Sequence, residues 1–339
     1  MHRILEKGGD PADAPNLAFR REGHVVTTPA HAYLDMDRVP RPALDLLPRV
    51  KYRLSPPFGV DAPQMLIETT RGCSYRCSFC TLPHDMRERS VDLVVEELVD
   101  LVHRRGYREL YFVDPTFTMN RERTMRLLDA MIRERIKVRW TCKTRADHVD
   151  QELLHRMAEA GCYMVSYGLE SGSQRILDNL MKDVDVSRNE RCIQMTRNAG
   201  MRSIAYILIG SPGEDELTVG QTLRMVRRMK PDFVLYGELQ ADPASAATKN
   251  AITAGAYSMQ DVVDFYIGGK ARALADKTLT DVPREAVLRW ISQANRDFYA
   301  RPSYIARRLA DVRTPRDFGN LFAGVFFVLA DKFLSADAI

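Results

Sequence analysis

The sequence lacks the marks of membrane-spanning, secreted and strongly basic proteins. Its longest apolar run, LFAGVFFVLA at 321–330, has ten residues, whereas a bilayer-spanning helix needs about 20. We expect a buried helix there, with a peripheral membrane contact through Phe322, Phe326 and Phe327 as the alternative. The opening residues, MHRILEKGGDPADAP, are polar and broken by glycine and proline, unlike a secretion signal. The net charge of +4 is too small to indicate a nucleic-acid-binding protein.

Cysteines are few and unevenly spread. There are six in 339 residues, and Cys142, Cys162 and Cys192 stand singly in apolar stretches, as small core residues do. The other three fall within RGCSYRCSFC at 71–80. Without a secretion signal, this usage predicts a cytoplasmic, reducing location, where clustered thiols bind metal or do redox chemistry rather than form disulfides.

From residue 64 onward, strand-like and helix-like stretches alternate. At 45% apolar and 28% charged residues, the chain can bury a large core. Six strand–helix units predict a parallel sheet with helices outside, although a barrel and an open doubly wound sheet share this rhythm. The six strand candidates are QMLIETT (64–70), RELYFVD (108–114), KVRWTCK (137–143), CYMVSYGLE (162–170), RSIAYILIG (202–210) and DFVLYGELQ (232–240).

Three interpretations of the cysteine triplet remain open from the residues alone. It follows the first strand, at the end of a parallel barrel that carries active sites. A structural zinc needs four ligands, and His84 could complete a set with Cys73, Cys77 and Cys80. An iron–sulfur electron carrier needs four cysteines on its cluster. A cluster with three thiolates instead leaves one iron open for catalysis.

The motif and its surroundings resemble a known family. CSYRCSFC has the CxxxCxxC spacing of radical S-adenosylmethionine (radical SAM) enzymes, and further stretches are similar to the branch that carries an N-terminal cobalamin-binding domain. These are RERS (87–90), FVDPTFTMN (112–120), CKTRAD (142–147), GLESGSQ (168–174) and IGSPGE (209–214). The resemblance implies a partial (β/α)6 barrel of parallel strands with outer helices, followed by a helical C-terminal region.

The resemblance also implies the chemistry. Cys73, Cys77 and Cys80 would ligate a [4Fe-4S] cluster, and S-adenosylmethionine would chelate the fourth iron. An electron donor such as flavodoxin or ferredoxin would supply one electron. The cleaved cofactor would then yield a deoxyadenosyl radical that abstracts hydrogen from a small organic substrate.

Further cofactor-binding residues follow from the same resemblance. Each has an ordinary structural alternative, such as an ion pair of Arg145 with Asp147 or of Glu170 with a neighbouring base. We expect Phe79 near the adenine, Asp114 and Thr116 at the methionine ammonium, Arg145 (with Lys143 as a weaker candidate) at its carboxylate, Glu170 at the ribose, and Gly210 and Gly213 where backbone approaches the adenine. By location alone, Tyr236, Glu238 and Asp242 are substrate-site candidates.

The beginning of the chain departs from the family pattern. We expect residues 1–63, with their hairpin-like LAFRREGHVVTTP, to resemble the end of a cobalamin domain and its linker. We expect 64–242 to form the core barrel and 243–339 to shape the substrate pocket. The cobalamin domain would then be truncated, carried by a separate chain, or not needed. Carbon methylation would require methylcobalamin; without it, oxidation, cyclisation or rearrangement is expected.

Overall fold

The computed structural model describes residues 8–30, 33–47, 52, 54, 58–266, 278–312 and 319. The chain divides into two units, Met1–Asp45 and Leu46–Ile339. The apolar run at 321–330 lies outside the described residues, so the helix and the membrane contact expected there stay predictions. No helix in the described ranges is long and apolar enough to cross a membrane.

The first unit contains the hairpin expected from the sequence. Strands β1 (Ala18–Arg21) and β2 (His24–Thr27) pair antiparallel, with Ala18 opposite Thr27. The turn between them contains Gly23 at φ +82°, which glycine adopts without steric cost. One-turn 3-10 helices lie at Pro11–Asp13 and Met36–Arg38.

The second unit is built on six parallel strands. They neighbour one another in chain order, whereas a doubly wound sheet reverses its order at a switch point. This order is that of a barrel. The strands are β3 (Gln64–Ile67), β6 (Glu109–Phe112), β7 (Arg139–Thr144), β8 (Cys162–Glu170), β9 (Arg202–Ile209) and β10 (Phe233–Glu238); the short β4 (Thr70–Arg71) and β5 (Arg87–Glu88) form a separate ribbon.

Helices cover the outer face of this sheet. Three of the six helices inside the repeat begin at side-chain caps, Asn120, Asp150 and Asp215, which accept hydrogen bonds from backbone amides of the first turn. They are α1 (Val91–Val99, continued by a π-helical turn at Asp100–Arg104), α2 (Arg121–Arg133), α3 (Gln151–Glu159), α4 (Gln174–Asn179), α5 (Val186–Asn198) and α6 (Glu216–Met229). Four more follow the last strand: α7 (Ala246–Thr253), α8 (Met259–Tyr266), α9 (Arg284–Tyr299) and α10 (Pro302–Ala310).

Two tyrosines show that the sheet is curved. The side chains of Tyr111 on β6 and Tyr206 on β9 lie close enough for each phenol group to influence the pKa of the other, although β7 and β8 lie between these strands. Strands are spaced about 4.8 Å apart, so the two side chains meet only if they project into the concave side of a curved sheet. We call this concave side the lumen.

The barrel is partial, because its edge strands β3 and β10 do not pair with each other. Helix α9 covers the β10 edge: the Tyr299 hydroxyl donates to the Val234 carbonyl at 2.7 Å and accepts from the Val234 amide at 3.1 Å. Covering an edge in this way satisfies backbone groups that would otherwise be open to another strand. The expected fold class, a partial (β/α)6 barrel followed by helices, is confirmed.

Candidate active site

The three clustered cysteines lie on a loop closed at its base by the β4–β5 ribbon, in which Thr70 lies opposite Glu88. The Cys73 amide donates to the Pro83 carbonyl at 2.9 Å across the loop. Gly72 has φ +80°, and a Cβ placed on it would lie 2.3 Å from the Asp85 carbonyl oxygen. Only glycine fits at this position, so Gly72 fixes the path of the backbone just before Cys73.

Asp114, which follows β6, holds the start of this loop. Its carboxylate accepts hydrogen bonds from the Thr69 amide at 2.6 Å, from the Thr70 amide at 3.1 Å and from the Thr69 hydroxyl. The side chain is fully buried, and burial raises its pKa while these hydrogen bonds oppose the rise. Both oxygens are engaged in holding the loop, and the expected contact with a methionine ammonium stays a prediction.

The thiols themselves have a mixed environment. Cys77 is buried, whereas Cys73 and Cys80 are half-buried. Burial raises the pKa of the Cys77 thiol, and the nearby cations Lys182 and Arg145 oppose this by favouring the thiolate. The Arg145 Nη1 lies 3.8 Å from the Cys77 sulfur. A set of three thiols backed by two buried cations fits a group that binds thiolates.

The geometry around His84 does not favour the zinc alternative. His84 is exposed, and its Nδ1 lies 2.8 Å from the Tyr75 carbonyl oxygen. Across the part of the chain that the structure describes, no three side chains of histidine, cysteine, aspartate or glutamate converge on one metal-ion position. A four-iron cluster is larger than a single ion and holds its thiolates farther apart, so the lack of a single-ion position among the described residues does not argue against a cluster.

Arg145, after β7, is a clamp on the cysteine loop. Its guanidinium pairs with both carboxylate oxygens of Asp147, at 3.0 and 2.9 Å, and donates to the Lys182 carbonyl at 2.7 Å. It also stacks on Tyr75, with 3.5 Å from the guanidinium carbon to the ring centroid. The ion pair with Asp147 was the structural alternative for this residue. The expected contact of Arg145 with the cofactor carboxylate stays a prediction, and the guanidinium would have to exchange one of these partners to make it.

Glu170 ends β8 in a left-handed conformation, with φ +61°. Its Oε1 lies 2.8 Å from the Nζ of Lys182, and both side chains are buried. A Cβ on Gly168 would lie 2.5 Å from that Oε1, so Gly168 makes room for the pair. A non-glycine residue in this region is strained, and such strain is found disproportionately at functional sites. Lys182 is a site residue that the sequence did not reveal, because it follows α4 without any motif of its own.

Phe79 and its neighbours connect the cysteine loop to the region after the barrel. Phe79 packs against a buried cluster that includes Leu180 and Leu239. The Ser78 amide donates to the Leu180 carbonyl at 2.9 Å, and the Ala247 amide donates to the Ser78 carbonyl at 2.7 Å. Thr116, which we expect at the methionine ammonium, is buried, and its Oγ1 lies 4.0 Å from the Cys73 sulfur.

The loop after β9 contains Gly210 at φ +90° and Gly213 at φ +75°, and a Cβ on Gly213 would lie 2.8 Å from Asn179 Nδ2. The turn therefore needs both glycines, and their approach to an adenine stays a prediction. Glu214 in the same loop was not singled out from the sequence. It is 3% exposed; its Oε2 accepts from the Gly210 amide at 2.6 Å and the Ser211 amide at 3.1 Å. Burial raises the pKa of Glu214 to about 7.

The three substrate-site candidates do not join this group. The Glu238 carboxylate pairs with Arg284 of α9 at 2.8 and 2.9 Å. Tyr236, two residues earlier on the same face, has its pKa raised by burial and lies among charged and phenolic groups of α6 and α9 such as Tyr299. Asp242 accepts the Ala244 amide at 2.9 Å in the turn before α7. Tyr236 and Glu238 thus lie on the side of the outer helices, and a substrate-site role for them and for Asp242 stays a prediction.

Comparisons with known proteins identify the fold's relatives. Residues 67–226 match the model of the radical SAM superfamily. A methyltransferase of Pyrococcus horikoshii named as uncharacterized is 29% identical over 238 residues, which are 68% of this chain and 50% of the relative. The anaerobic magnesium-protoporphyrin IX monomethyl ester cyclase of Rubrivivax gelatinosus is 30% identical over 218 residues, 62% of this chain and 39% of the relative. The chain thus spans half or less of the length of these relatives.

Solved structures share the architecture. The radical S-adenosylmethionine methyltransferase TsrM from Kitasatospora setae, solved with cobalamin and a [4Fe-4S] cluster, superimposes with a TM-score of 0.62 at 21% identity, covering 75% of this chain and 51% of TsrM. The cobalamin-dependent enzyme OxsB, solved with aqua-cobalamin and S-adenosylmethionine, gives 0.57 at 17% identity, covering 83% of this chain and 40% of OxsB. At these identities the likeness concerns the fold alone.

Proposed function

We propose that the chain, whose residues 67–226 match the radical SAM superfamily of enzymes, cleaves S-adenosylmethionine reductively and abstracts hydrogen from a small organic substrate. The observation that carries this proposal is the cysteine loop. Its three thiols follow the first barrel strand, and Arg145 and Lys182 oppose the rise that burial causes in the Cys77 pKa. Three thiolates leave one iron of a [4Fe-4S] cluster open for a cofactor.

The chain's own residues would bind, orient and exclude water. When bound, the cluster would supply one electron for cleavage of the sulfonium–5′-carbon bond of S-adenosylmethionine, and the cleaved cofactor would supply the means of hydrogen abstraction from the substrate. Cys73, Cys77 and Cys80 would hold the cluster as thiolates. Arg145, with its Nη1 3.8 Å from the Cys77 sulfur, would stabilise that thiolate's charge and keep the loop in place.

The Glu170–Lys182 pair would receive the cofactor. We propose that the Glu170 carboxylate accepts hydrogen bonds from the ribose hydroxyls and that the Lys182 ammonium turns to the methionine carboxylate. The Glu170 and Lys182 groups are 2.8 Å apart in the structure, and each would exchange this partner for the cofactor. Phe79 would contact the adenine, with the backbone at Gly210 and Gly213 beside it. Thr116 would lie by the methionine ammonium, given its 4.0 Å distance from the Cys73 sulfur.

Cobalamin enters no step of this proposal. In the described part of the chain before Gln64, the secondary structure consists of one hairpin and short 3-10 turns, and the crevice between parallel strands that usually binds such ligands needs an α/β unit. Cobalamin-dependent methylation would require that unit on another segment or a separate chain. Otherwise we propose oxidation, cyclisation or rearrangement. Flavodoxin or ferredoxin as electron donor and a cytoplasmic location stay predictions.

Spectroscopy on anaerobically reconstituted protein tests this function. The reduced protein should give the electron paramagnetic resonance signal of a [4Fe-4S] cluster, and that signal should change when S-adenosylmethionine is added. His84→Ala is the matched control: it should leave both results intact, because His84 is not a ligand in this proposal. A colourless protein with stoichiometric zinc, or a signal that does not respond to S-adenosylmethionine, would contradict it.

A further inference from the structure

Several side chains of the sheet share the lumen. Leu66 on β3 lies opposite Tyr111 on β6, and Tyr206 on β9 lies opposite Leu235 on β10, so each pair projects from one face. The proximity of the Tyr111 and Tyr206 side chains identifies that face as the concave one. Leu66 is 52% exposed there, although it belongs to a strand of the barrel. These four lumen residues are apolar or phenolic, and Leu66 is open to solvent.

Lys143 places a cation on this face. It follows Thr141 by two residues on β7, and Thr141 lies opposite Tyr111, so Lys143 shares the lumen face. Its Nζ lies 6.0 Å from the Tyr111 ring centroid, and the side chain is half-buried. The face also contains a carboxylate, Glu109, two residues before Tyr111; it is buried and accepts hydrogen bonds from Gln64 and Tyr163.

Lys143 differs from the cations of the cofactor site. Lys182 and Arg145 have carboxylate partners at 2.8 and 2.9 Å. Among the residues that the structure describes, no carboxylate lies within 4.0 Å of the Lys143 ammonium. A partly desolvated ammonium in an apolar cavity is costly unless it meets an anion, and a charge-assisted hydrogen bond offsets that cost.

We propose that the lumen is the substrate pocket and that Lys143 binds an anionic group, a carboxylate or a phosphoryl group, of a substrate with an apolar or aromatic body. This inference rests on the proposed function and names the substrate class of that site. Leu66 and Leu235 would contact the body of the substrate. Tyr111 and Tyr206 would lie beneath the substrate, since their side chains approach each other across the lumen from β6 and β9.

A matched pair of probes tests the proposal on the full chain. Binding of 2-naphthoate and of its neutral isostere 2-naphthamide is measured by titration calorimetry on reconstituted protein saturated with S-adenosylmethionine, with 2-naphthyl phosphate as a second anionic probe. We expect an anionic probe to bind the wild type about tenfold or more tightly than the amide, the value of one charge-assisted hydrogen bond. Lys143→Met should remove this preference and leave the amide affinity unchanged, which also shows that the variant is folded.

Two controls make the result specific to the site. Lys143→Arg should keep most of the preference, because it retains the cation. Lys137→Met, which removes an exposed cation just before β7, should keep all of it. Equal binding of acid and amide to the wild type, or an anion preference that survives in Lys143→Met, would overturn the proposal.

The same measurements separate this inference from the proposed function. If S-adenosylmethionine abolishes an anion preference that the cofactor-free chain has, Lys143 holds the cofactor's carboxylate and the substrate assignment is overturned. If the wild type shows the Lys143-dependent preference but never cleaves S-adenosylmethionine, the proposed function fails while the anion site stands. If cleavage occurs without any anion preference, the site fails alone.

Discussion

The ammonium of Lys182 lies 2.8 Å from the Oε1 of Glu170, and the two side chains are 7% and 8% exposed. Glu170 reaches this position through a left-handed backbone conformation at φ +61°, which costs about 1–3 kcal/mol. Glu170, whose backbone is strained, therefore forms an ion pair with a buried cation beside the cysteine loop. This ion pair connects the barrel's fourth strand, β8, to the turn after α4.

Removing one member of this pair should destabilise the protein strongly. Glu170→Gln leaves the Lys182 ammonium as an uncompensated buried charge, and Lys182→Met does the same to the Glu170 carboxylate. Breaking a buried ion pair lowers the free energy of unfolding by roughly 3–5 kcal/mol. The double variant Glu170→Gln/Lys182→Met should lose less than the sum of the two. Urea unfolding of all four proteins measures this coupling, and additive losses would show that the two charges do not stabilise each other.

Cofactor affinity should respond to the same glutamate. Glu170→Gln should weaken S-adenosylmethionine binding about ten- to a hundred-fold, because the amide is a weaker acceptor for the ribose hydroxyls than a carboxylate. Glu190→Gln, which disrupts an exposed ion pair with Arg228 on the outer helices, serves as the control and should bind normally. Equilibrium dialysis at equal iron content makes the comparison, and equal affinities would return Glu170 to a purely structural role.

Gly72→Ala should disrupt the cysteine loop. The added Cβ would lie 2.3 Å from the Asp85 carbonyl oxygen, in addition to the strain of φ +80°. Gly106→Ala is a matched control, since Gly106 has φ +72° but open space around it; it should cost only about 1–2 kcal/mol. Iron content and thermal unfolding of both variants decide this. Equal effects would mean that backbone strain alone accounts for Gly72.

The Glu214 carboxyl should make stability depend on pH. Burial raises its pKa to about 7 from an ordinary 4.5. Between these values the folded state holds a proton that the unfolded state has released, so the free energy of unfolding falls as pH rises. The loss by neutral pH is at most roughly 3 kcal/mol. Urea titrations at several pH values should show this slope in the wild type and in Glu216→Gln, an exposed neighbour.

Glu214→Gln should flatten that slope. Glutamine keeps an oxygen to accept the Gly210 and Ser211 amides, which reach Oε2 at 2.6 and 3.1 Å in the wild type, and it has no proton to release. A variant whose stability falls between mildly acidic and neutral pH as steeply as the wild type's would show that another group titrates.

The sequence predicted elements better than orientations. Apolar runs bounded by glycine and charged residues located all six strands, because parallel strands buried on both faces over most of their length form nearly continuous apolar runs. The curvature of the sheet could not be predicted from the sequence, since Tyr111 and Tyr206, whose proximity reveals it, are far apart in the chain. Strand alternation places Tyr236 and Glu238 on one face but does not tell which. The packing of α9 against β10, through Arg284 and Tyr299, decides that.

The candidate site likewise has features that the sequence predicts and contacts that it does not. The cysteine spacing is local, so the sequence was sufficient to predict the loop. The partners of Arg145 and Glu170 are not local: the Lys182 carbonyl and ammonium reach them from 37 and 12 residues away. A sequence pattern names the charged residue at a strand end, but only the packed structure shows which of its atoms are already engaged.

Iron binding should depend on the three clustered cysteines and on no other. Replacing Cys73, Cys77 or Cys80 by alanine should abolish the binding of about four irons per chain, because each removes a thiolate ligand. Cys192→Ala, in the buried face of α5, should bind iron like the wild type. Colorimetric iron and sulfide assays after anaerobic reconstitution make the measurement, and full iron content in any of the three loop variants would exclude that cysteine as a ligand.

Formation of 5′-deoxyadenosine tests the central claim most directly. The reconstituted full chain is incubated anaerobically with S-adenosylmethionine and dithionite, and the product is quantified by liquid chromatography with mass spectrometry. We predict that the wild type and Cys192→Ala form 5′-deoxyadenosine and methionine, slowly in the absence of substrate, and that Cys77→Ala forms none. A wild-type protein that contains its full complement of iron and binds S-adenosylmethionine, yet forms no 5′-deoxyadenosine under reduction, would contradict the claim.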